Sequence, residues 1–333
     1  MFRYIVKRLL LIIPTLLAIT FVVQLFIVIT PGDPARMLAG TQVSEEEVEQ
    51  LRIEMGLRDP FLVRYGNYMK KLFHGDFGTS YKTKNPVLED LLSRFPYTLM
   101  LVVISMSIAI LIGIPLGIYA AINQYTWKDS AANFAALFCV SMLPFWHTLM
   151  LVQLVAVKLR LLPPSGIESW TGWILPCVTN ALAYTASIAR QMRSNLLEVI
   201  RQDFVTTARA KGLHERKVLY KHALKNALIP IIMTIGSITG FAMGGSMITE
   251  IIFGIPGIGN YTLTALLARD YPVIQTNVLF ISTLFCIILM LTDVAFAIVD
   301  PRIRAQYARS GRSGIKLGLP KLFKQLRKGD VQS

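Results

Sequence analysis

Six long apolar blocks dominate the chain, at about residues 9–30, 98–122, 131–157, 174–190, 226–249 and 277–299. A helix crosses the hydrocarbon core of a bilayer with roughly 20 apolar residues, and helices can do so because every backbone N–H and C=O is satisfied within the segment. The blocks therefore predict an all-α membrane protein with about six transmembrane helices. Composition agrees, since 53% of the 333 residues are hydrophobic and only 16% are charged, against about 25% charged in soluble chains. The fourth block is short, and Asn180, Tyr184 and Ser187 give it the character of a helix facing a wet interior. It is kept because its removal would put the flanking segments on incompatible sides of the membrane. The opening Met-Phe-Arg-Tyr-Ile-Val-Lys-Arg resembles a signal peptide, but the apolar stretch after it is too long and has no small-residue cleavage site. Residues 1–30 are read as a retained first span.

A formal net charge of +14 would point toward nucleic acid in a soluble protein. Here the charge sits beside apolar blocks, so it reads as topology: the partner is a lipid bilayer and no nucleic acid is expected. Arg3, Lys7 and Arg8 precede the first span, nine basic residues lie from Arg190 to Lys225, and nine more run from Arg302 to Lys328. The excess of Lys and Arg in these segments makes them cytoplasmic, with both termini inside. Residues 31–97 then form an external subdomain whose nine basic and ten acidic residues nearly cancel. In it, Ser44 and Glu47 have capping-box spacing, and Val48, Leu51 and Met55 recur at helical spacing up to Gly56. Two readings stand for the basic tail, 301–333: an amphipathic segment on the anionic inner leaflet, or a solubilising tail. Cys139, Cys177 and Cys286 are odd in number, lie inside apolar blocks and read as packing residues, and His74, His147, His214 and His222 are scattered without ligand spacing. No metal site is expected.

The connection at about 191–225 is too long for a hairpin. Leu196, Leu197, Ile200, Phe204, Thr207 and Ala208 recur near the helical period, which predicts an amphipathic helix along the membrane surface. It should turn at Gly212, where a second helix begins and leads through Lys225 into the fifth span. Ala208 and Ala210 would leave room for a partner's groove. An ordinary basic inner loop is the competing reading. The fifth span carries Gly236, Gly240 and Gly244 at four-residue spacing, a ridge that admits close helix approach. Thr234, Ser237, Thr239 and Ser246, with Asn180, Tyr184 and Ser187, either line a path or hydrogen-bond between helices. Beyond them, Glu250, Gly254, Pro256, Gly257 and Gly259 break the helix and fold the chain back, as an outer gate or as a tight re-entrant turn. Glu250 and Asp293 stand near span ends, where each would be hydrated or paired. No GxxxxGK[ST] occurs, so the chain should not bind ATP, and no nucleophile–base constellation marks it as an enzyme.

Four stretches together resemble a known family. The run TTARAKGLHERKVLYKHALKNALIP is similar to the permease signature of ATP-binding cassette importers, in the form seen in the dipeptide, oligopeptide and nickel permease family. The opening MFRYIVKRLLLIIPTLLAITFVVQLFIVITPGDP, the segment HGDFGTSY, and ITEIIFGIPGIGNYTLTALLARDYPVIQ followed by DPRIR resemble the same family in the same order, most closely the first permease of its pair. The resemblance implies a type I ABC importer permease fold in the bacterial cytoplasmic membrane. It implies that Asp203, Thr206, Thr207, Ala208, Arg209, Ala210, Lys211 and Gly212 form a coupling helix seated in a cleft of an ATPase subunit. Thr206 and Thr207 stand where the motif has Glu and Ala, and His222 to Lys225 replace its Ile-x-Leu-Pro, so no contact of the missing glutamate is assigned. The implied partners are a second homologous permease, two ABC ATPase subunits holding ATP and Mg, and an extracytoplasmic substrate-binding protein. Cargo stays open among dipeptide, oligopeptide, glutathione-like and metal-chelate solutes. The reading from another class is an ion-coupled secondary transporter or channel without an ATPase, but midplane acids and inverted repeats are not evident.

Overall fold

Where the apolar blocks are uninterrupted, single long helices form. The structure, a computed structural model, describes residues 2–30, 32–39 and 43–299; the tail at 301–333 lies outside them. Helix α1 (Phe2–Ile29) is followed by three short helices, α2 (Pro34–Ala39), α3 (Glu45–Glu54) and α4 (Phe61–Phe73), and then by the long α5 (Val87–Ile122). After α5 come α6 (Trp127–Ser141), α7 (Pro144–Leu151) with a π-helical extension Val152–Lys158, and α8 (Trp170–Ile200). The chain continues through α9 (Asp203–Ala210), α10 (Glu215–Lys217), the π-helical Val218–Ala223, α11 (Leu224–Gly245), α12 (Met247–Phe253), α13 (Ile258–Leu267) and α14 (Tyr271–Val299). Arg8–Ile29, Val87–Ile122, Glu215–Gly245 and Tyr271–Val299 are each long and apolar enough to cross a membrane.

Two of the six expected spans differ. The third is broken: Trp127–Ser141 and Pro144–Lys158 meet at 106°. Pro144 has no N–H to give and drives Leu143 into an extended backbone (φ −62, ψ 135), so a helix restarts at the proline and does not pass through it. The fourth expected block lies within α8, which is too polar to count as a span by composition. Its residues from Gly172 to Val199 are buried at regular intervals by other helices. Protein rather than lipid surrounds it, and this removes the need for an apolar surface all round.

Glycines set the closest helix contacts. A Cβ on Gly117 would stand 2.5 Å from the Ala189 carbonyl oxygen and 2.6 Å from Met192 Cβ, and one on Gly113 would stand 3.0 Å from the Thr185 carbonyl oxygen. This is how α5 and α8 come together. The ridge on α11 meets α14 of the same chain, with the added carbon 1.9 Å from Thr292 Oγ1 at Gly236 and 2.8 Å from the Phe285 ring at Gly240. At the far end of α14, Arg8 pairs with Asp293 at 2.8 Å.

The insertion after α1 has its own polar framework. Ser44 and Glu47 form a reciprocal capping box at the start of α3, and the Arg52 guanidinium joins Asp33 and Glu49, which Arg58 also contacts at 2.6 Å. Helix α4 does not stand free. Tyr65 donates to the Leu17 carbonyl at 3.2 Å and shares a 3.3 Å hydrogen bond with Thr20, while Phe61 packs edge-on against Phe21. Gln24 is hydrogen-bonded to Gln275 on α14. Thr20 and Gln24 of α1 thus find partners in the insertion and in α14, as hydrocarbon demands.

Replacing Gly236 with Leu is expected to force α11 and α14 apart, at a cost of about 1–3 kcal/mol for overpacking, while Gly66→Leu meets open space. Thermal unfolding in detergent checks this, and equal midpoints for the two variants would refute it. In the insertion, hydrogen bonds from Arg58 and then Arg52 hold the Glu49 carboxyl down to about 2, against 4.5 for a free glutamate. The folded value lies below the unfolded one, so this contribution is present above about 4.5 and is lost as pH falls toward 2. Amide exchange in α3, corrected for its intrinsic rate, should accelerate across that window in the wild type and not in Glu49→Gln.

Candidate functional site: the elbow, the Glu250 turn and the polar spans

The elbow is built from two helices where one was expected. Helix α8 stops at Ile200, Gln202 is extended (φ −80, ψ 151), and α9 begins a new phase at Asp203. Leu196, Leu197 and Ile200 therefore belong to the end of α8. Val205 and Ala208 of α9 are buried in a cluster with Ala121, Met192, Leu196, Val218, Ala223 and Ile231. Ala208 thus faces the protein and cannot enter a partner's groove, which corrects its expected place in a docking face. Asp203, Thr206, Thr207, Arg209, Ala210 and Lys211 are exposed on the other side. Gly212 closes the helix at φ +74 with nothing within 4 Å of a would-be Cβ. The glycine is required there by backbone handedness and not by space. Arg209 then spans the turn to Glu215 at 2.6 Å, and the chain enters the continuous helix Glu215–Gly245.

One ion pair ties this elbow to the broken span. Asp129 is buried, accepts two 2.6 Å hydrogen bonds from the Arg193 guanidinium, and takes further bonds from the Tyr125 N–H and the Asn133 amide. A two-pronged arginine–carboxylate contact fixes orientation as well as distance.

At the opposite end of the bundle the buried group is Glu250, fully removed from solvent. Its Oε1 accepts from the Thr98 hydroxyl at 2.7 Å and the Ser246 hydroxyl at 3.2 Å, and its Oε2 accepts from the Asn260 N–H at 2.9 Å. Thr98 Oγ1 in turn accepts from the Ile258 N–H at 2.9 Å. The expectation of a hydrated or ion-paired glutamate is corrected: neutral donors satisfy it. Gly257 and Gly259 are glycines for space, since a Cβ there would approach the Glu250 carboxylate to 2.4 and 3.0 Å. Gly254 is glycine for its left-handed φ of +67, and Pro256 follows the fully buried Ile255. The segment is a tight turn packed on the Glu250 carboxylate. Next to it, Asp270 accepts from the Ser80 hydroxyl and the Tyr81 and Lys82 N–H groups at 2.5 to 3.3 Å, and Thr276 donates to the Phe77 carbonyl. The HGDFGTSY stretch is thereby joined to the start of α14.

The polar span residues do not share one face. Ser246 is closed off at 1% exposure against Glu250, which removes it from any path. Tyr184 packs between two hydrophobic clusters that include Met106, Ile188 and Met243. Thr239 bonds back to the Ile235 carbonyl, and Thr234 sits near that of Pro230. Asn180 accepts from Thr249 at 2.6 Å and leaves its amide N–H2 without a partner. Ser187 and Thr234 are half-buried and Ser237 is exposed. Among the described residues no group of three or more His, Cys, Asp or Glu converges as a metal site would.

Residues 113–305 match the family described as binding-protein-dependent transport system inner membrane component. The chain belongs to this family. Residues 1–102 match its N-terminal membrane component. The permease is 40% identical over 304 residues to the glutathione transport system permease protein GsiC of Salmonella typhimurium, covering 91% of this chain and 99% of the relative. It is 40% identical over 332 residues to the dipeptide transport system permease protein DppB of Alkalihalophilus pseudofirmus, covering 91% and 100%. The GsiC protein of Escherichia coli strain K12 is 38% identical over 304 residues. The permease is thus an all-α, multi-pass inner-membrane subunit of an ABC importer, a class that works with ATPase and binding-protein partners.

Thr98, Asp129, Asp270, Gly113 and Gly117 carry structural weight that the sequence reading passed over. The glycine pair repeats the spacing noticed on α11 and was findable. Asp129 and Arg193 are 64 positions apart, and Ser80 and Asp270 are 190 apart, so no local pattern points to either pair.

Replacing Glu250 by Ala leaves the Thr98 hydroxyl, the Ser246 hydroxyl and the Asn260 N–H without an acceptor, each at a cost of about 1–3 kcal/mol. A cysteine placed at Ile255, which is fully buried, is expected to be inert to a maleimide in the otherwise wild-type permease and to react once Glu250 is Ala. Equal labelling would show that the carboxylate does not hold the turn.

Proposed function

We propose that this permease forms, with a second homologous permease, the translocation path of a short-peptide importer, and that the outward side of α9 is the seat of an ATPase subunit. The exposed row Asp203, Thr206, Thr207, Arg209, Ala210 and Lys211, backed by a buried anchor at Val205 and Ala208, carries this reading. A surface helix can transmit force only if its inner side is fixed to the spans it moves, and α9 is fixed to α8, α5 and the start of α11 through that cluster. Two ATPase subunits would hold ATP and Mg, while this chain supplies no catalysis. The basic excess at 190–225 supports placing the elbow in the cytoplasm, with both termini on the same side and the 31–97 insertion outside. An extracytoplasmic binding protein would deliver cargo to that outer end, and closure of the ATPases would reopen the path inward.

The names of the relatives, which speak of glutathione and dipeptides, support a cargo of short peptides. Asn180, with an unpartnered amide donor, Ser187, Thr234 and Ser237 are the residues proposed to line the route. Mild hydrogen-bonding groups of this kind pass varied peptides without trapping them.

The docking seat is tested by tryptophan substitution on the two sides of α9. Thr206→Trp and Ala210→Trp should insert and retain the second permease yet lose the ATPase subunits, with ATP-driven uptake reduced by about tenfold or more, the equivalent of roughly 1.4 kcal/mol in docking. Ala208→Trp should instead destabilise the permease itself, because it enters the core cluster. Normal ATPase co-purification and uptake in the two outward variants would sink the assignment.

A further inference from the structure

The ion pairs of the insertion gather around α2 and α3 and leave the charges of α4 without one. Arg36, Arg52 and Arg58 each hold a carboxylate at 2.8 Å or less. Among the described residues Arg64, Lys70 and Lys71 make no ion pair, and neither do Glu54 and Asp59. Arg64 and Lys71 share one side of α4, seven positions and two helical turns apart. Both line a cavity of about 700 Å³ whose wall also includes Lys70, His74, Glu54, Asp59 and Asp76, and whose border with the spans includes Gln24 and Gln275. That volume lies within the roughly 300–1,000 Å³ typical of sites for small ligands.

The aromatic groups of the wall add neutral donors. The Tyr68 phenol is pushed up to about 12 by burial, and that of Tyr81 is pushed up to about 12 by burial and then by Asp270, with the Arg64 charge opposing. Both keep their O–H at neutral pH. A wall that carries Arg64, Lys70 and Lys71, the acids Glu54, Asp59 and Asp76, and the hydroxyl-bearing Tyr68 and Tyr81 suits a polar ligand with a charge of each sign. A lipid tail would find too many polar groups here, and a simple anion would have no use for the acids.

We infer that this cavity is a binding subsite for a short zwitterionic peptide, with Arg64 and Lys71 receiving the C-terminal carboxylate and Glu54 and Asp59 the terminal ammonium. The inference rests on the permease being a peptide importer and adds a site on this chain at which cargo is recognised before it enters the spans. A guanidinium and an ammonium converging on one carboxylate give charge-assisted hydrogen bonds, roughly twice as strong as neutral ones. Arg64 is therefore the residue whose loss costs the most.

The test uses the assembled importer in nanodiscs without its binding protein. Binding of alanyl-phenylalanine and of its C-terminal amide is measured by equilibrium dialysis, and ATP-driven uptake with the binding protein present is measured in parallel. The wild type is expected to bind the free acid about tenfold more tightly than the amide. Arg64→Gln with Lys71→Gln should abolish that preference, while Arg64→Lys retains part of it and reports that the fold is intact. Equal binding of acid and amide by the wild type, no binding by a wild type that transports the dipeptide, or an unchanged preference in the double variant would each overturn the subsite. Failure of the wild type to transport any peptide would instead count against the importer reading on which it rests.

Discussion

A carboxylate that meets neither water nor a cation must be surrounded by neutral donors, and the insertion end of this bundle is organised by that requirement. Glu250 collects the Thr98 hydroxyl from α5, the Ser246 hydroxyl ahead of α12 and the Asn260 N–H from α13. Through Thr98 it also reaches the Ile258 N–H. Three helices are thus held to one functional group, and the glycines around it are fixed by its bulk. Leaving any of these donors unmade in a place without water would cost more than forming it gains, so the turn from Gly254 to Gly259 has one arrangement. Its neighbour Asp270 repeats the device on a smaller scale, using a side chain to receive two groups of the HGDFGTSY stretch and the N–H of Lys82 that follows it.

Around that fixed end the bundle is assembled on α8. The tight approach of α5 through Gly113 and Gly117 removes lipid from one side of α8, and the Asp129–Arg193 pair brings α6 to it. A helix so covered has no call for an apolar surface, which is why Asn180 and Asn195 are tolerated in its length. Helix α1 stands at the other extreme: its outward residues are largely exposed, while Thr20 and Gln24 face inward to Tyr65 and Gln275.

The parts of this fold that are local in the chain were legible in the sequence. Block length gave the long helices, Ser44 and Glu47 gave the start of α3, and Gly212 gave the bend of the elbow, because each depends on residues within a turn or two. The ridge Gly236–Gly240–Gly244 predicted a close helix but not which one, and the partner proved to be α14. Phase was the main source of error. An interruption at Gln202 restarts the helical period, so a pattern counted from Leu196 grouped the exposed Phe204 and Thr207 with the buried Leu196 and Ala208. Pro144 was visible as a helix breaker, but the length of the block around it masked the sharp bend that it causes. Burial of Glu250 and Ser246 depended on Thr98, 152 positions from Glu250, and no periodicity carries information across that distance.

The doubly bonded Asp129–Arg193 contact has a mechanical corollary. Arg193 lies about two helical turns before Ile200, where α8 gives way to the elbow, and Asp129 opens α6, the first arm of the bent pair. A single hydrogen bond would act as a pivot, whereas two parallel bonds resist rotation as well as separation. Tilting the last turns of α8 must therefore swing the whole α6 arm with it, and the 106° corner at Met142 and Leu143 is the point where such a swing would have to be taken up.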